Sequence, residues 1–227
     1  LSLVARRPDD AQAWYALSGI NARLGRIAEA GECCRRAIAL QPAFADAHLN
    51  LGNVLLHEGR RAEAVAAYRT VLKLVPGHTG AALNLGHALA DQGNGTEALE
   101  QYAAVLRTAP GAAAARGLLG RARALTAAGR LQEAADLLAL LCETHPGEAD
   151  AWQLLGSIYG RRGDTAAAED CCRRALAARP GYRDAHVTLG HVLFHQGRLD
   201  EAADAYLNAL AIDPHYAAAL NNLGRAS

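Results

Sequence analysis

"ADAHLNLGNVLLHEGRRAEAVAAYRTVLKLVPGH" occupies residues 45–78. His48, Leu51, Gly52 and Leu55 recur at positions 4, 7, 8 and 11 of the stretch, one face of a 3.6-residue spiral. Ala64, Tyr68 and Val71, at positions 20, 24 and 27, repeat that spacing in the second half. Gly59 stands between the two halves, where a left-handed helix end accepts glycine best. Pro76 closes the second half, because proline donates no backbone bond and clashes with the preceding turn. The stretch therefore reads as two amphipathic helices folded back on each other.

The same pattern runs along the whole chain. Its prolines stand at 8, 42, 76, 110, 146, 180 and 214, spaced by 34, 34, 34, 36, 34 and 34 residues. Glycines at 25, 59, 93, 129, 163 and 197 keep the same beat, as do alanines at 30, 64, 98, 134, 168 and 202. Every proline serves the repeat, so no separate domain or linker is expected between units. The 227 residues divide as a single array: 1–10 as the tail of a preceding unit, then 11–44, 45–78, 79–112, 113–148, 149–182 and 183–216, with 217–227 opening a seventh unit. Leu3 and Val4 fall in the tail's second helix. The fourth unit has 36 residues, and counting back from Gly129 puts the two extra ones in "GAAAA" (111–115). A longer turn or an added piece of helix is expected there, with a local change of twist between the third and fourth units.

Composition agrees with an all-α chain. Half the residues (51%) are apolar but only 5% are aromatic; Ala and Leu, strong helix formers, dominate, and strand-favouring types are scarce. Twenty-three basic residues balance twenty-three acidic ones, so there is no global footprint for nucleic acid or anionic lipid. No apolar run approaches the roughly 20 residues that span a bilayer, and "LSLVARRPDD" lacks a signal peptide's apolar core, so no membrane insertion is expected. The chain starts on Leu and contains no Met, so a segment of a longer protein is expected. Lys73 is the one lysine, an arginine bias typical of GC-rich, bacterial coding. Cys33, Cys34, Cys142, Cys171 and Cys172 include two adjacent pairs and no CxxC. Helical neighbours point about 100° apart and cannot close a disulfide, so buried free thiols in a reducing, cytoplasmic setting are expected.

The unit resembles the tetratricopeptide repeat family, whose 34-residue pattern is W-x2-L-G-x2-Y…A-x3-F…P. Trp14 and Trp152 fill its first position, with Leu17, and Leu155 and Gly156, behind them. The departures are Ser18 for the position-8 glycine, and Cys34 and Cys172 for the aromatic at position 24. The resemblance covers the whole chain. It implies a right-handed α-solenoid of antiparallel helix pairs, a superhelix whose concave surface is lined by the first helices.

With positions 4, 7, 8 and 11 buried, positions 2, 6, 9 and 13 lie within about 60° of each other on the opposite side. The candidate binding residues are drawn from that set: Asn50, Asn53, His57, Asn84, His87, Arg116, Arg123, Arg161, His191, His195 and Asn222. Asn50, Asn84 and Asn222 all hold position 6. A carboxamide offers two donors and an acceptor, so it can bond both the C=O and the N–H of an extended peptide without reading its side chains. The same row resembles the asparagine ladder in the repeats of O-linked N-acetylglucosamine transferases, although Ala16, Gly120, Leu154 and Thr188 interrupt it. At a net ~0.5–1.5 kcal/mol per bond, three asparagines grip weakly and need other contacts. Asn53, Asn84 and Arg116 also match part of the carboxylate clamp of chaperone-binding repeats. Leu49 and Gly120 replace two of its cations and remove most of the pull on a terminal carboxylate.

His191 and His195, four apart, could chelate a metal, but no third strong ligand is placed beside them. His48 and His186, at position 4, are expected to pack rather than to ligate. No phosphate loop, nucleophile elbow or catalytic carboxylate pair is present in the sequence, and no cofactor is expected. The expected function is a non-catalytic scaffold that holds a peptide segment of another protein in its concave groove. Two alternatives remain. One is the substrate-recruiting arm of a larger enzyme such as a glycosyltransferase. The other is end-to-end self-association through uncovered helix faces that include Leu220 and Leu223.

Overall fold

Residues 8–108 and 111–226 are described by the computed structural model, and all regular structure among them is helical. The expected helix tail at Leu3 and Val4 lies outside the described residues. So does part of the junction between the third and fourth repeats, at residues 109 and 110. The chain divides into two units, Leu1–Pro110 and Gly111–Ser227. The first holds α1 (Ala11–Arg23), α2 (Ile27–Leu40), α3 (Ala45–His57), α4 (Arg61–Leu74), α5 (Thr79–Asp91) and α6 (Gly95–Thr108). The second holds α7 (Ala112–Ala127), α8 (Leu131–Thr144), α9 (Ala149–Arg161), α10 (Thr165–Ala178), α11 (Arg183–His195), α12 (Leu199–Ile212) and α13 (Ala217–Ala226). Within each unit successive helices pack as antiparallel pairs, and the pairs stack so that first helices lie beside first helices.

The breaks between paired helices are made by glycine. Gly25, Gly59, Gly93, Gly129, Gly163 and Gly197 all adopt φ between 74° and 84°, which only glycine enters without strain. At Gly59 the Arg60 N–H donates to the Leu55 carbonyl at 2.8 Å and the Gly59 N–H to the Leu56 carbonyl at 3.0 Å, which together use up carbonyls left orphaned by the end of α3. The second helices end differently. The residue before Pro42, Pro76, Pro146, Pro180 and Pro214 is extended, as at Gln41 (φ −137°, ψ 89°) and Val75 (φ −137°, ψ 86°), because the proline ring excludes the helical basin from its predecessor. That proline's carbonyl then serves as an anchor. Trp14 and Trp152 donate their indole N–H to Pro8 and Pro146 at 2.8 and 2.9 Å, and the Nε2 atoms of His48 and His186 bond Pro42 and Pro180 at 2.9 and 3.0 Å. Histidine thus replaces tryptophan at position 4 because both present an N–H on a flat apolar ring, which ties these two side chains to the fold.

The interior of each hairpin is built around positions 8, 20 and 24. All six alanines at position 20 are fully or almost fully buried. Glycine at position 8 makes room for one particular ring: a Cβ on Gly52, Gly86 or Gly190 would sit 2.5 Å from Cε1 of Tyr68, Tyr102 or Tyr206. Where position 24 is not tyrosine, position 8 is freer. Ser18 faces Cys34 and Ala122 accompanies Leu138, while Gly156 lies near Cys172. The departures at residues 18, 34 and 172 are therefore volume exchanges inside one contact. The extra residues of the fourth repeat appear as helix: α7 has 16 residues, whereas α1, α3, α5, α9 and α11 have 13 each.

All five cysteines are buried and free. Burial pushes the thiols of Cys142, Cys171 and Cys172 up to about 12, so none carries thiolate at neutral pH. Among the described residues no helix is long and apolar enough to cross a membrane.

Candidate functional site

The first helices of each unit expose the row that their buried faces leave over. In the first unit the asparagines are already engaged with one another. Asn50 on α3 is half-buried, and its Nδ2 donates to the Ser18 hydroxyl on α1 at 3.4 Å. Asn84 on α5 donates to Asn53 Oδ1 at 2.9 Å, and that same oxygen accepts the Tyr68 hydroxyl at 2.8 Å. The amides form cross-pieces between neighbouring repeats: Asn50 and Asn84 each spend one N–H, and Asn53 spends its carbonyl oxygen. The second N–H and the carbonyl oxygen of Asn50 and of Asn84 have no partner among the described residues. His87 packs its ring against Tyr102 with centroids 5.7 Å apart, and His57 is exposed at the end of α3.

In the second unit Arg116 and Arg123 are exposed on α7, and Arg123 approaches Asp150 at 3.9 Å. Asp150 is the centre of a small network. The Tyr182 hydroxyl donates to it at 2.6 Å and Arg179 bonds it at 3.2 Å, while the Arg179 guanidinium lies 4.6 Å above the Tyr182 ring. Burial opposes ionisation of Asp150, but Tyr182, Arg179 and Arg123 hold its carboxyl below the usual range. One repeat further, Tyr216 donates to Asp184 at 2.6 Å, and Arg183 covers the Tyr216 ring at 4.7 Å. The aspartates at position 2 are thereby tied down, and their charge is neutralised locally.

Farther along the same face, α9, α11 and α13 enclose a cavity of about 240 Å³, lined by Ser157, Gly160, Arg161, Val187, Thr188, His191, Val192 and Asn222. A smaller hollow beside it, bounded by Phe194, Tyr206 and Arg225, shares His191 and Asn222. Position 12 is glycine here, and an added Cβ on Gly160 would reach Val192 only at 3.7 Å; the other repeats carry Ala22, Leu56, Ala90, Thr126 or Phe194. The Thr188 hydroxyl is spent, donating to the Asp184 carbonyl at 2.8 Å and accepting from Gln153 at 3.1 Å. His191 and His195 stand with their Nε2 atoms 3.3 Å apart and their rings edge to face. Burial, together with His195 and Arg225, moves the His191 imidazole below its usual range. Among the described residues no group of three or more His, Cys, Asp or Glu is placed to hold a metal ion.

Arg161, His191 and Asn222 come together at this cavity, with His195 one turn along α11. Asn50, Asn53 and Asn84 come together in the first unit. Sequence reading missed Gly160, Val187 and Val192. The signal for Gly160 was available, since it is the one glycine at position 12.

Models of two families, both described as tetratricopeptide repeat, match the chain: one over residues 1–43 and 154–217, the other over 55–121 and 89–158. No curated protein sequence matches it. Among solved structures it is similar to a tetratricopeptide repeat protein from Parabacteroides merdae ATCC 43184, with 17% identity and a TM-score of 0.54 over 99% of this chain and 88% of that one. It is also similar to a chain of the APC/C hetero-tetramer Cut9–Hcn1, with 22% identity, a TM-score of 0.53 and 99% of this chain aligned. The chain spans 44% of the length of that relative.

Proposed function

Given that the chain belongs to the tetratricopeptide repeat family, we propose that it is a non-catalytic interaction module that holds a peptide segment of a partner protein against the exposed faces of its first helices. The observation that carries this reading is the second unit's cavity, which has an apolar floor of Val187 and Val192 and polar groups converging on it from three helices. Asn50, Asn53, Asn84 and His87 offer further bonding groups on the first unit, and Arg116 and Arg123 on the second. Panning a random peptide library on the immobilised chain, then mapping the selected peptides by NMR shifts, tests it. Shifts confined to the first helices support the reading. Selected peptides that move only the outer, second-helix residues overturn it.

A second reading, end-to-end self-association, is favoured by the apolar surface of α1, where Ile20 and Leu24 are 44% and 61% exposed. Sedimentation that finds a single monomeric species at all concentrations removes it.

A further inference from the structure

The walls of the cavity between α9, α11 and α13 carry cations and no carboxylate. Arg161 contributes a guanidinium from α9, and Arg225 on α13 contributes a second from the smaller hollow alongside, which shares His191 and Asn222 with the cavity; there it packs 5.7 Å over the Phe194 ring. Neither has a carboxylate partner among the described residues. His191 and His195 add two imidazoles from α11, and Asn222 and Ser157 add neutral donors. In a chain whose charges balance at twenty-three against twenty-three, this is a local excess of positive charge. The nearest aspartate on α11, Asp184, is already bonded by Tyr216 and faced by Arg183. The floor, in contrast, is apolar: Val187, Val192 and the bare backbone of Gly160.

We propose that this cavity is an acid-reading subsite, in which an aspartate or glutamate of the bound peptide meets Arg161 and Arg225 while a small apolar neighbour packs on Val187, Val192 and Gly160. The inference rests on the peptide-binding reading above and gives it a chemical class. It uses residues other than Asn53, Asn84 and Arg116. Guanidinium–carboxylate bonds are the stronger kind, and here they form beside apolar surface that limits screening. The histidine pair tunes the site. The groups facing His191 are His195 and Phe194 on its own helix, Tyr206 from α12, Arg161 from α9, and Asn222 and Arg225 from α13, none of them acidic. Burial, with His195 and Arg225 beside it, holds the His191 imidazole below its usual range, so it takes up its proton only in clearly acidic solution; the added positive charge then meets a ligand carboxylate that is still ionised, and affinity rises toward about pH 5.

The test uses two synthetic nonapeptide mixtures that differ only at the central residue, Asp or Asn, with Val, Ala, Gly and Ser randomised around it. Fluorescence anisotropy is read against the full chain. The Asp mixture is expected to bind roughly ten-fold tighter than the Asn mixture at low salt. Arg161→Ala together with Arg225→Ala should abolish the preference while circular dichroism stays unchanged, since both side chains are exposed. The preference should widen from pH 8 to pH 5 in the wild type and not in His191→Ala. Equal binding of the two mixtures overturns the acid-reading subsite and leaves peptide binding standing. Binding of neither mixture, with no peptide selected from the random library, overturns both.

Discussion

Replacing Gly190 by alanine isolates the contact on which each tyrosine-bearing hairpin depends. The new Cβ would lie 2.5 Å from Tyr206 Cε1, 2.8 Å from Cδ1 and 2.9 Å from Cζ, whereas carbon atoms rest at about 3.5–4.0 Å. The ring has to retreat by about 1 Å, and Tyr206 is only 1% exposed, so it has nowhere to go without moving its neighbours. Overpacking of this kind costs about 1–3 kcal/mol, offset by the roughly 1 kcal/mol that alanine gains over glycine inside a helix. Gly120→Ala is the matched control. It lies inside α7 of the same unit with nothing within 4 Å, so only the gain of about 1 kcal/mol operates there. The two variants share the propensity term and should differ by about 1–3 kcal/mol, read as opposite shifts of the urea midpoint at constant slope. A Tyr206→Cys background has the pairing of Gly156 and Cys172, and adding Gly190→Ala to it approaches that of Ser18 and Cys34. There Gly190→Ala should no longer destabilise, which gives a coupling energy of about 1–3 kcal/mol. If Gly190→Ala stabilises the wild-type chain as much as Gly120→Ala does, the ring is not what requires glycine.

Three further outcomes can be checked. Asn53→Ala removes the acceptor shared by the Tyr68 hydroxyl and Asn84. It should destabilise by about 1–3 kcal/mol, most of which should vanish in a Tyr68→Phe background; a neutral Asn53→Ala would mean that water replaces the amide at no cost. Asp150 and Glu169 are both held below the usual carboxylate range, burial opposing and the bonds from Tyr182, Arg179, Arg173, Gln196 and Arg198 prevailing. The unfolded chain therefore takes up these protons first. Stability should be level above about pH 5 and fall as pH drops through 4 and below, with Asp150→Asn flattening part of that fall; an unchanged acid limb in the variant counts against the network. The thiols of Cys142, Cys171 and Cys172 should react with a disulfide reagent at pH 8 only as fast as the chain opens, so that denaturant accelerates labelling by orders of magnitude; prompt labelling in buffer would contradict their burial.

The helices and their breaks were readable because they depend on local rules. A glycine at φ near 75° and a proline that forces its predecessor to be extended act within one turn of chain, and the 34-residue beat marks every such place. The groups that join repeats were harder to see. The spiral puts position 6 away from the core, and Asn50 and Asn84 are half-buried there; nothing in a list of asparagines shows that Asn84 reaches Asn53 thirty-one residues away, or that the Tyr68 hydroxyl shares the same oxygen. The histidines at position 4 show the same limit: apolar periodicity predicts packing, and only the folded hairpin brings each Nε2 to a proline carbonyl six residues back. The cavity is the extreme case. Gly160 has no special backbone angle, and its place in the cavity appears only when α11 packs beside α9 and brings Val187, His191 and Val192 to it. A repeat specifies its own fold through the residues it shares with its neighbours. In the reading proposed above, its ligand is read by what neighbouring first helices bring together, as Arg161, His191 and Asn222 do at the cavity, and not by the residue type at one position, since Arg23, His57 and His87 repeat those types elsewhere.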